Sequence, residues 1–333
     1  MVSEIKIMGI VNVNDDSFFA GSRVSGVEQF IARVEKLFGE GADVVDIGAC
    51  SSRPGSTYPG VEEEWRRLKP VLEVVQKRFP DTRTMASESE PSISPSPSAS
   101  TRAAADTLSA GDTYPLPIAS TEADVFMQSP EEANQLPTAS GYTGSRFSID
   151  TFSAEIVKRA YDIIGPFIVN DISAGQSDPE LLPLVARLGL PYVAMHNQIP
   201  FVIEGKELHP IADGEGDIVA RVAGFFSNFE KRAAEAGLQD WILDPGFGFG
   251  KDVDENLELL NRLDGLKIFG REILIGISRK RMTYQPLGLT PSDPKTLGET
   301  LRLERLAISR GANWIRCHDI PPRWEQHLTR NIQ

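Results

Sequence analysis

Gly41-Ala-Asp-Val-Val-Asp-Ile-Gly48 sets a glycine two residues ahead of a short apolar run. Glycine reaches the left-handed backbone conformation that closes a helix, and a run of this length behind it reads as a buried strand. The same punctuation recurs at Gly189-Leu-Pro, Gly237-Leu-Gln and Gly311-Ala-Asn. Working outward, short apolar runs alternate with longer amphipathic ones, the signature of βαβ units and a parallel sheet. Eight strands are predicted, at Ile5–Val11, Asp43–Ile47, Phe147–Asp150, Phe167–Asn170, Tyr192–Met195, Trp241–Leu243, Ile273–Ile277 and Trp314–Arg316.

The alternation breaks once. Residues 82–145 are rich in Ser, Pro, Ala and Thr, contain no lysine and show no sustained period. Such a segment buries too little apolar surface to offset its ordering entropy, so it is predicted to be a disordered insertion between the second helix and the third strand. The remaining 269 residues, 1–81 and 146–333, match the size of one (β/α)8 barrel. A helix-to-strand connection lies at the amino-terminal end of the barrel strands, so the insertion is expected to hang from the face opposite an active site.

Composition narrows the function. The net charge of −13 argues against a nucleic-acid partner, which needs a basic face, although residues 82–145 alone carry −6 of it. No apolar run approaches the roughly 20 residues that span a bilayer, and the run Ile5–Val13 follows Glu4, is interrupted by Asn12 and has no cleavage site after it. Two cysteines, Cys50 and Cys317, lack metal-ligand spacing and suit a reducing compartment. A cytoplasmic protein, with no membrane segment, is the expectation.

Eight parallel strands can remain an open doubly wound sheet or close into a barrel. The polar residues favour closure. Just after the strands stand Asn12, Arg53, Asp150, Asn170, His196, Asp244, Lys280, and Arg316 with His318. A barrel gathers these strand ends around one mouth, whereas each alone reads as loop hydrogen bonding or helix capping. Carboxylates and amides together suit a flat heterocycle with both N–H donors and acceptors; Arg, His and Asn suit a phosphate. Arg316 and His318 lie two apart and share a strand face, while Cys317 points the other way, against a Cys/His nucleophilic pair. His196 reads more readily as a satisfied structural histidine. Asp244-Pro-Gly-Phe-Gly-Phe-Gly-Lys251 has the wrong glycine spacing for a Walker loop, and Asp252 stands where Ser or Thr is needed. Its glycines let backbone approach a planar ligand with Phe249 as a wall, or form a structural turn.

Met8-Gly-Ile-Val-Asn-Val-Asn-Asp-Asp-Ser-Phe18, Gly41–Gly48 with Ser52-Arg-Pro-Gly55, Ser148-Ile-Asp-Thr151, Val169-Asn-Asp-Ile-Ser173, Met195-His-Asn197, Leu243–Lys251, Gly276-Ile-Ser-Arg-Lys280 and Arg316-Cys-His-Asp319 resemble, in family order, the dihydropteroate synthases of the pterin-binding enzymes. The resemblance implies a transferase of folate biosynthesis and sulfonamide target that condenses a dihydropterin pyrophosphate with p-aminobenzoate through a pterin carbocation. It implies pterin contacts from Asp150, Asn170, Asp244, Phe249 and Lys280. Pyrophosphate contacts would come from Asn12, Arg316 and His318, with Mg2+ near Asn12, and p-aminobenzoate contacts from Phe18, Ser52, Arg53 and Pro54. It further implies a homodimer through the last helices.

The sequence departs from the family at Asn14-Asp15, at Ala20, where the first loop carries a carboxylate, at Cys50-Ser-Ser52, and at Arg281. Two alternatives share the ring-binding residues: a barrel that passes methyl groups from methyltetrahydrofolate to a corrinoid protein, and a catalytically silent pterin-binding barrel. Ser52-Arg-Pro-Gly55 and Ser278-Arg-Lys280 favour the synthase over the first.

Overall fold

The computed structural model describes residues 5–13, 26–50, 58–80, 145–199, 201–203, 206–208 and 213–320. Within them the chain alternates β1 (Lys6–Asn12), α1 (Val27–Gly39), β2 (Val44–Gly48), α2 (Val61–Arg78), β3 (Phe147–Asp150), α3 (Ala154–Ile164), β4 (Ile168–Asp171), α4 (Leu181–Leu188) and β5 (Tyr192–Met195). After a short hairpin of β6 (Phe201–Ile203) and β7 (Lys206–Leu208) come α5 (Ile218–Glu235), β8 (Trp241–Asp244), α6 (Val253–Asn261), β9 (Leu274–Ile275), α7 (Arg281–Tyr284), α8 (Pro294–Ser309) and β10 (Trp314–Cys317).

Eight strands pair side by side in the order β8-β5-β4-β3-β2-β1-β10-β9, every pair parallel. A parallel bridge between Leu243 and Ile273 joins the two ends of that order, so the sheet closes and the open alternative is excluded. All eight predicted strands are present. The four punctuating glycines take positive φ, from 62° at Gly189 to 109° at Gly311, with Gly189 the left-handed cap of α4.

Two details depart from expectation. The β9 strand is shorter than Ile273–Ile277 because the chain already turns at Ile277, whose carbonyl accepts from Lys280 N at 3.0 Å while Arg279 adopts φ 54°. The β6/β7 hairpin has strands of three residues, too short to show an alternation. Residues 82–144 of the insertion and the helix expected after β10 lie outside the described residues. Among these residues no helix is long and apolar enough to cross a membrane.

Side chains alternate across each strand, and the two faces have separate cores. Outward residues pack with the helices, as where Phe226 and Phe229 of α5 meet Trp241. Inward, Met8, Val44, Ile168, Val193, Ile242, Leu274 and Trp314 form an apolar layer that plugs the barrel. The Trp314 indole N–H donates to Glu272 at 2.8 Å, and Lys6 pairs with Glu272 at 3.2 Å while standing 4.7 Å from the Trp314 ring. Two residues further along the same strands the inward positions become Asp46, Asn170, Asp244 and Arg316. Period two thus turns an apolar floor into a polar pocket.

The turn after β4 is fixed by Asp171, a fully buried carboxylate that accepts from Ser173 N and Gly175 N at 2.6 Å each and from Tyr192 Oη at 2.5 Å. Burial raises its pKa and these donors oppose the rise. They hold Ala174 at φ 50°, an unusual conformation for alanine. Tyr192→Phe leaves the same ring with one donor fewer and is expected to cost about 1–3 kcal/mol. A lower urea midpoint with an unchanged slope is the measurement.

Candidate active site

At the carboxyl ends of the strands the register aligns Asn12, Gly48, Asp150 and Asn170 across β1 to β4. Gly48 makes this row concave. A Cβ there would lie 3.3 Å from Asn12 Oδ1 and 3.4 Å from Asp150 Oδ2, so the missing side chain brings the amide and the carboxylate to one hollow.

Below the row, Arg316 links two carboxylates. It reaches Asp46 Oδ2 through Nε at 2.8 Å and Nη2 at 2.7 Å, and Asp150 Oδ2 through Nη2 at 3.0 Å. Asn170 Nδ2 donates to the same Asp46 oxygen at 3.1 Å. Asp46 is fully buried, and its Oδ1 has no hydrogen-bond partner among the described residues. Burial raises the Asp150 carboxyl, Arg316 pulls it back, and Asp46 raises it again. Burial disfavours the Arg316 charge, yet the two carboxylates outweigh it and the guanidinium is held above its ordinary pKa.

On the far side, the loop after β8 turns on Gly246, Gly248 and Gly250, with φ of 65°, 81° and 67°. Gly246 N donates to Asp244 Oδ1 at 2.8 Å. Lys280 Nζ donates to the Phe247 carbonyl at 2.5 Å and lies 4.5 Å from the centre of the Phe249 ring. Burial raises Asp244, with Lys280 opposing, and burial lowers Lys280 to about 8, with Asp244 opposing. Lys251 braces the loop from behind through the Gly246 and Phe249 carbonyls at 2.9 and 3.1 Å, and burial lowers it to about 7.

His318 follows β10. Its N–H donates to Ser278 Oγ at 3.2 Å, and its carbonyl accepts from Arg33 at 2.6 Å. Burial, then Arg316, Arg33, Arg279 and Lys280, lower its ring to about 3. The ring is therefore neutral at physiological pH in a strongly cationic neighbourhood. Cys317 packs in the outer core, as the alternation requires, and burial pushes its thiol up.

The mouth thus brings together Asn12, Asp150, Asn170, Asp244, Phe249, Lys280, Arg316 and His318. His196 does not join them. It is fully buried behind the glycine loop, its Nε2 2.9 Å from Asp213 and its ring edge-on to Phe225, and burial lowers it to about 4. Phe18, Ser52, Arg53 and Pro54 lie outside the described residues. Asp46, Lys251 and Ser278 carry no role in the sequence reading. A lone aspartate inside Val-Val-Asp-Ile, in phase with the inner face, is the signal that marks Asp46.

Among the described residues no three His, Cys, Asp or Glu side chains are grouped to hold a metal ion. The hollow offers the Asn12 amide oxygen beside Asp150. That sparse oxygen set suits an ion carrying most of its own ligands, as Mg2+ on phosphates does.

A profile of the family described as "Pterin binding enzyme" matches residues 8–89 and 133–318. The dihydropteroate synthase of Streptococcus pyogenes serotype M3 is 28% identical over 317 residues, covering 94% of this chain and 90% of the relative. That of Escherichia coli K12 is 28% identical over 321 residues, covering 96% and 88%. Among solved structures, Xanthomonas albilineans dihydropteroate synthase with 4-aminobenzoic acid superposes with a TM-score of 0.66 at 29% identity, covering 98% of this chain and 92% of that one. The Yersinia pestis dihydropteroate synthase in a sulfonamide drug complex gives 0.69 at 25% identity, with the same coverage.

Proposed function

Because the chain belongs to the pterin-binding enzyme family, we infer that it is a dihydropteroate synthase, a transferase of folate biosynthesis. It condenses 6-hydroxymethyl-7,8-dihydropterin pyrophosphate with p-aminobenzoate, giving 7,8-dihydropteroate and pyrophosphate. The observation that carries the reading is a mouth lined by the carboxylates Asp150 and Asp244, the Asn170 amide, Lys280 and Phe249, with the Arg316 cation and the neutral His318 ring beside them.

Asp244 and Asp150 accept from ring and amino N–H groups of the pterin, Asn170 bonds the same ring, and Lys280 donates to the ring carbonyl. Phe249 covers the ring face. The bond that breaks is the carbon–oxygen bond to pyrophosphate, and the bond that forms joins that carbon to the amine of p-aminobenzoate. Arg316, charged throughout, and the neutral His318 ring stabilise the departing oxygens by donated hydrogen bonds, and Asn12 orients them. Mg2+, if held at Asn12, would supply further charge stabilisation to the pyrophosphate. No nucleophile of the chain is needed. Phe18, Ser52, Arg53 and Pro54 are proposed to meet p-aminobenzoate on the strength of the motif alone. A homodimer through the last helices rests on the same resemblance, and cytoplasmic residence on the two cysteines, neither of them in a disulfide.

The deciding assay is formation of dihydropteroate from the pterin pyrophosphate and p-aminobenzoate, with and without Mg2+. Pyrophosphate release that depends on p-aminobenzoate separates the synthase from a methyl-transferring barrel, and absence of turnover with intact pterin binding would leave the silent barrel. Asp244→Asn is expected to weaken a pterin analogue by about 2–4 kcal/mol in calorimetry, since an amide accepts through one end only. Wild-type affinity would remove Asp244 from the ring.

A further inference from the structure

Outside the mouth one buried carboxyl has no part in this chemistry. Glu64 stands in the first turn of α2 beside Glu62 and Glu63, which pair at the surface with Arg159 and with Arg66 and Arg67. Glu64 is 1% exposed and turns inward. Tyr58 Oη donates to its Oε2 at 2.7 Å. Burial raises its pKa; Tyr58, the Thr151 hydroxyl, the Cys50 thiol and Arg67 oppose the rise. Its Oε1 closes no hydrogen bond of full geometry among the described residues. The Tyr58 ring lies 4.7 Å from Phe152, and Arg67 donates to the Ala49 carbonyl at 3.0 Å.

These partners have a common meaning in the chain. Ala49 and Cys50 are the last residues described after β2, and Tyr58 is the first before α2; Thr151 follows Asp150 at the end of β3. In this fold the connections after the strands form the mouth. We propose that Glu64 is a positioning residue whose buried carboxyl group holds Tyr58, where the β2–α2 connection rejoins α2, against Phe152 at the end of β3, while Arg67 holds Ala49 at the other root. The proposal rests on the synthase reading for its kinetic consequence, in which this connection serves p-aminobenzoate and Asp150 serves the pterin.

The test uses the full chain with Glu64→Ala, Glu64→Gln and Tyr58→Phe. Leaving a buried hydrogen-bonding group without its partner corresponds to about 10- to 100-fold. Glu64→Ala is therefore expected to raise KM for p-aminobenzoate by about that factor, with calorimetric affinity for a pterin analogue lacking pyrophosphate unchanged. Glu64→Gln, whose amide oxygen still accepts from Tyr58, is expected to recover most of the loss. Tyr58→Phe keeps the ring on Phe152 and so serves if the Glu64 variants do not fold. Its increase in KM is expected to vanish in the Glu64→Ala background, because both changes open one clamp. Amide exchange across 51–57, read by mass spectrometry without substrates, is expected to be faster in Tyr58→Phe and in Glu64→Ala than in the wild type. Equal losses for both ligands, additive effects, or unchanged exchange would each overturn the clamp. Exchange is independent of turnover, so a wild type that binds the analogue but makes no dihydropteroate would refute the synthase reading and leave the clamp to be decided by exchange.

Discussion

Arg316→Met is expected to destabilise the fold by about 3–5 kcal/mol and to lower turnover by on the order of 10²–10³. Methionine keeps an unbranched stem but not the guanidinium, so the main loss is electrostatic: Asp46, fully buried, and Asp150 keep their oxygens and lose the cation between them. The pH dependence identifies the cause. Burial already holds Asp150 above the ordinary carboxylate range with Arg316 opposing, and removing the guanidinium raises it further. A carboxyl whose folded pKa exceeds its unfolded value of about 3.9 contributes stability that is complete below that value and is lost as pH rises through the folded pKa. The variant should therefore be closest to wild type in acid and furthest from it above neutrality. Denaturation at pH 5 and pH 8 checks this, and an identical deficit at both would mean that Arg316 acts through packing. Arg316→Lys is a poor substitute, because one ammonium does not reproduce the fork that meets both carboxylates.

Gly246→Ala carries the second large effect. Alanine at φ 65° costs about 1–2 kcal/mol by conformation alone. Here its Cβ would also stand 1.8 Å from the His196 carbonyl oxygen, so the loop or β5 must move. Movement breaks the contacts of Asp244, Lys251 and Lys280 with the loop backbone. A destabilisation of about 4 kcal/mol or more, of the exceptional class for single substitutions, and loss of pterin affinity are expected. Gly288→Ala is the control, since Gly288 has φ 64° and nothing within 4 Å of the added carbon. If calorimetric melting of the two variants were alike, the close approach at His196 would be without consequence.

The residues whose placement at the mouth is legible in the sequence are those that stand at a strand end. Asp150, Asn170, Asp244, Lys280 and Arg316 each follow an apolar run, and a closed parallel sheet must bring such positions together. What position alone does not convey is which groups support them. Asp46 is distant in sequence from both Asn170 and Arg316, and only the barrel's register places it beneath them. Glu64 reads as one of three acidic residues suited to a helix start, and nothing local distinguishes the one that turns inward. His196 shows the converse: it follows a strand like the others, yet α5 and Asp213 claim its ring.

Among the described residues, the apolar layer that includes Trp314 closes the barrel beneath the mouth. Whatever lies deepest must enter first, and once a second molecule is seated above it there is no rear exit. For the proposed two-substrate reaction the expected consequence is an order of arrival: the ring that would rest on Asp46's neighbours is expected to enter before the amine. The assembled product must then withdraw along the path by which its parts came in.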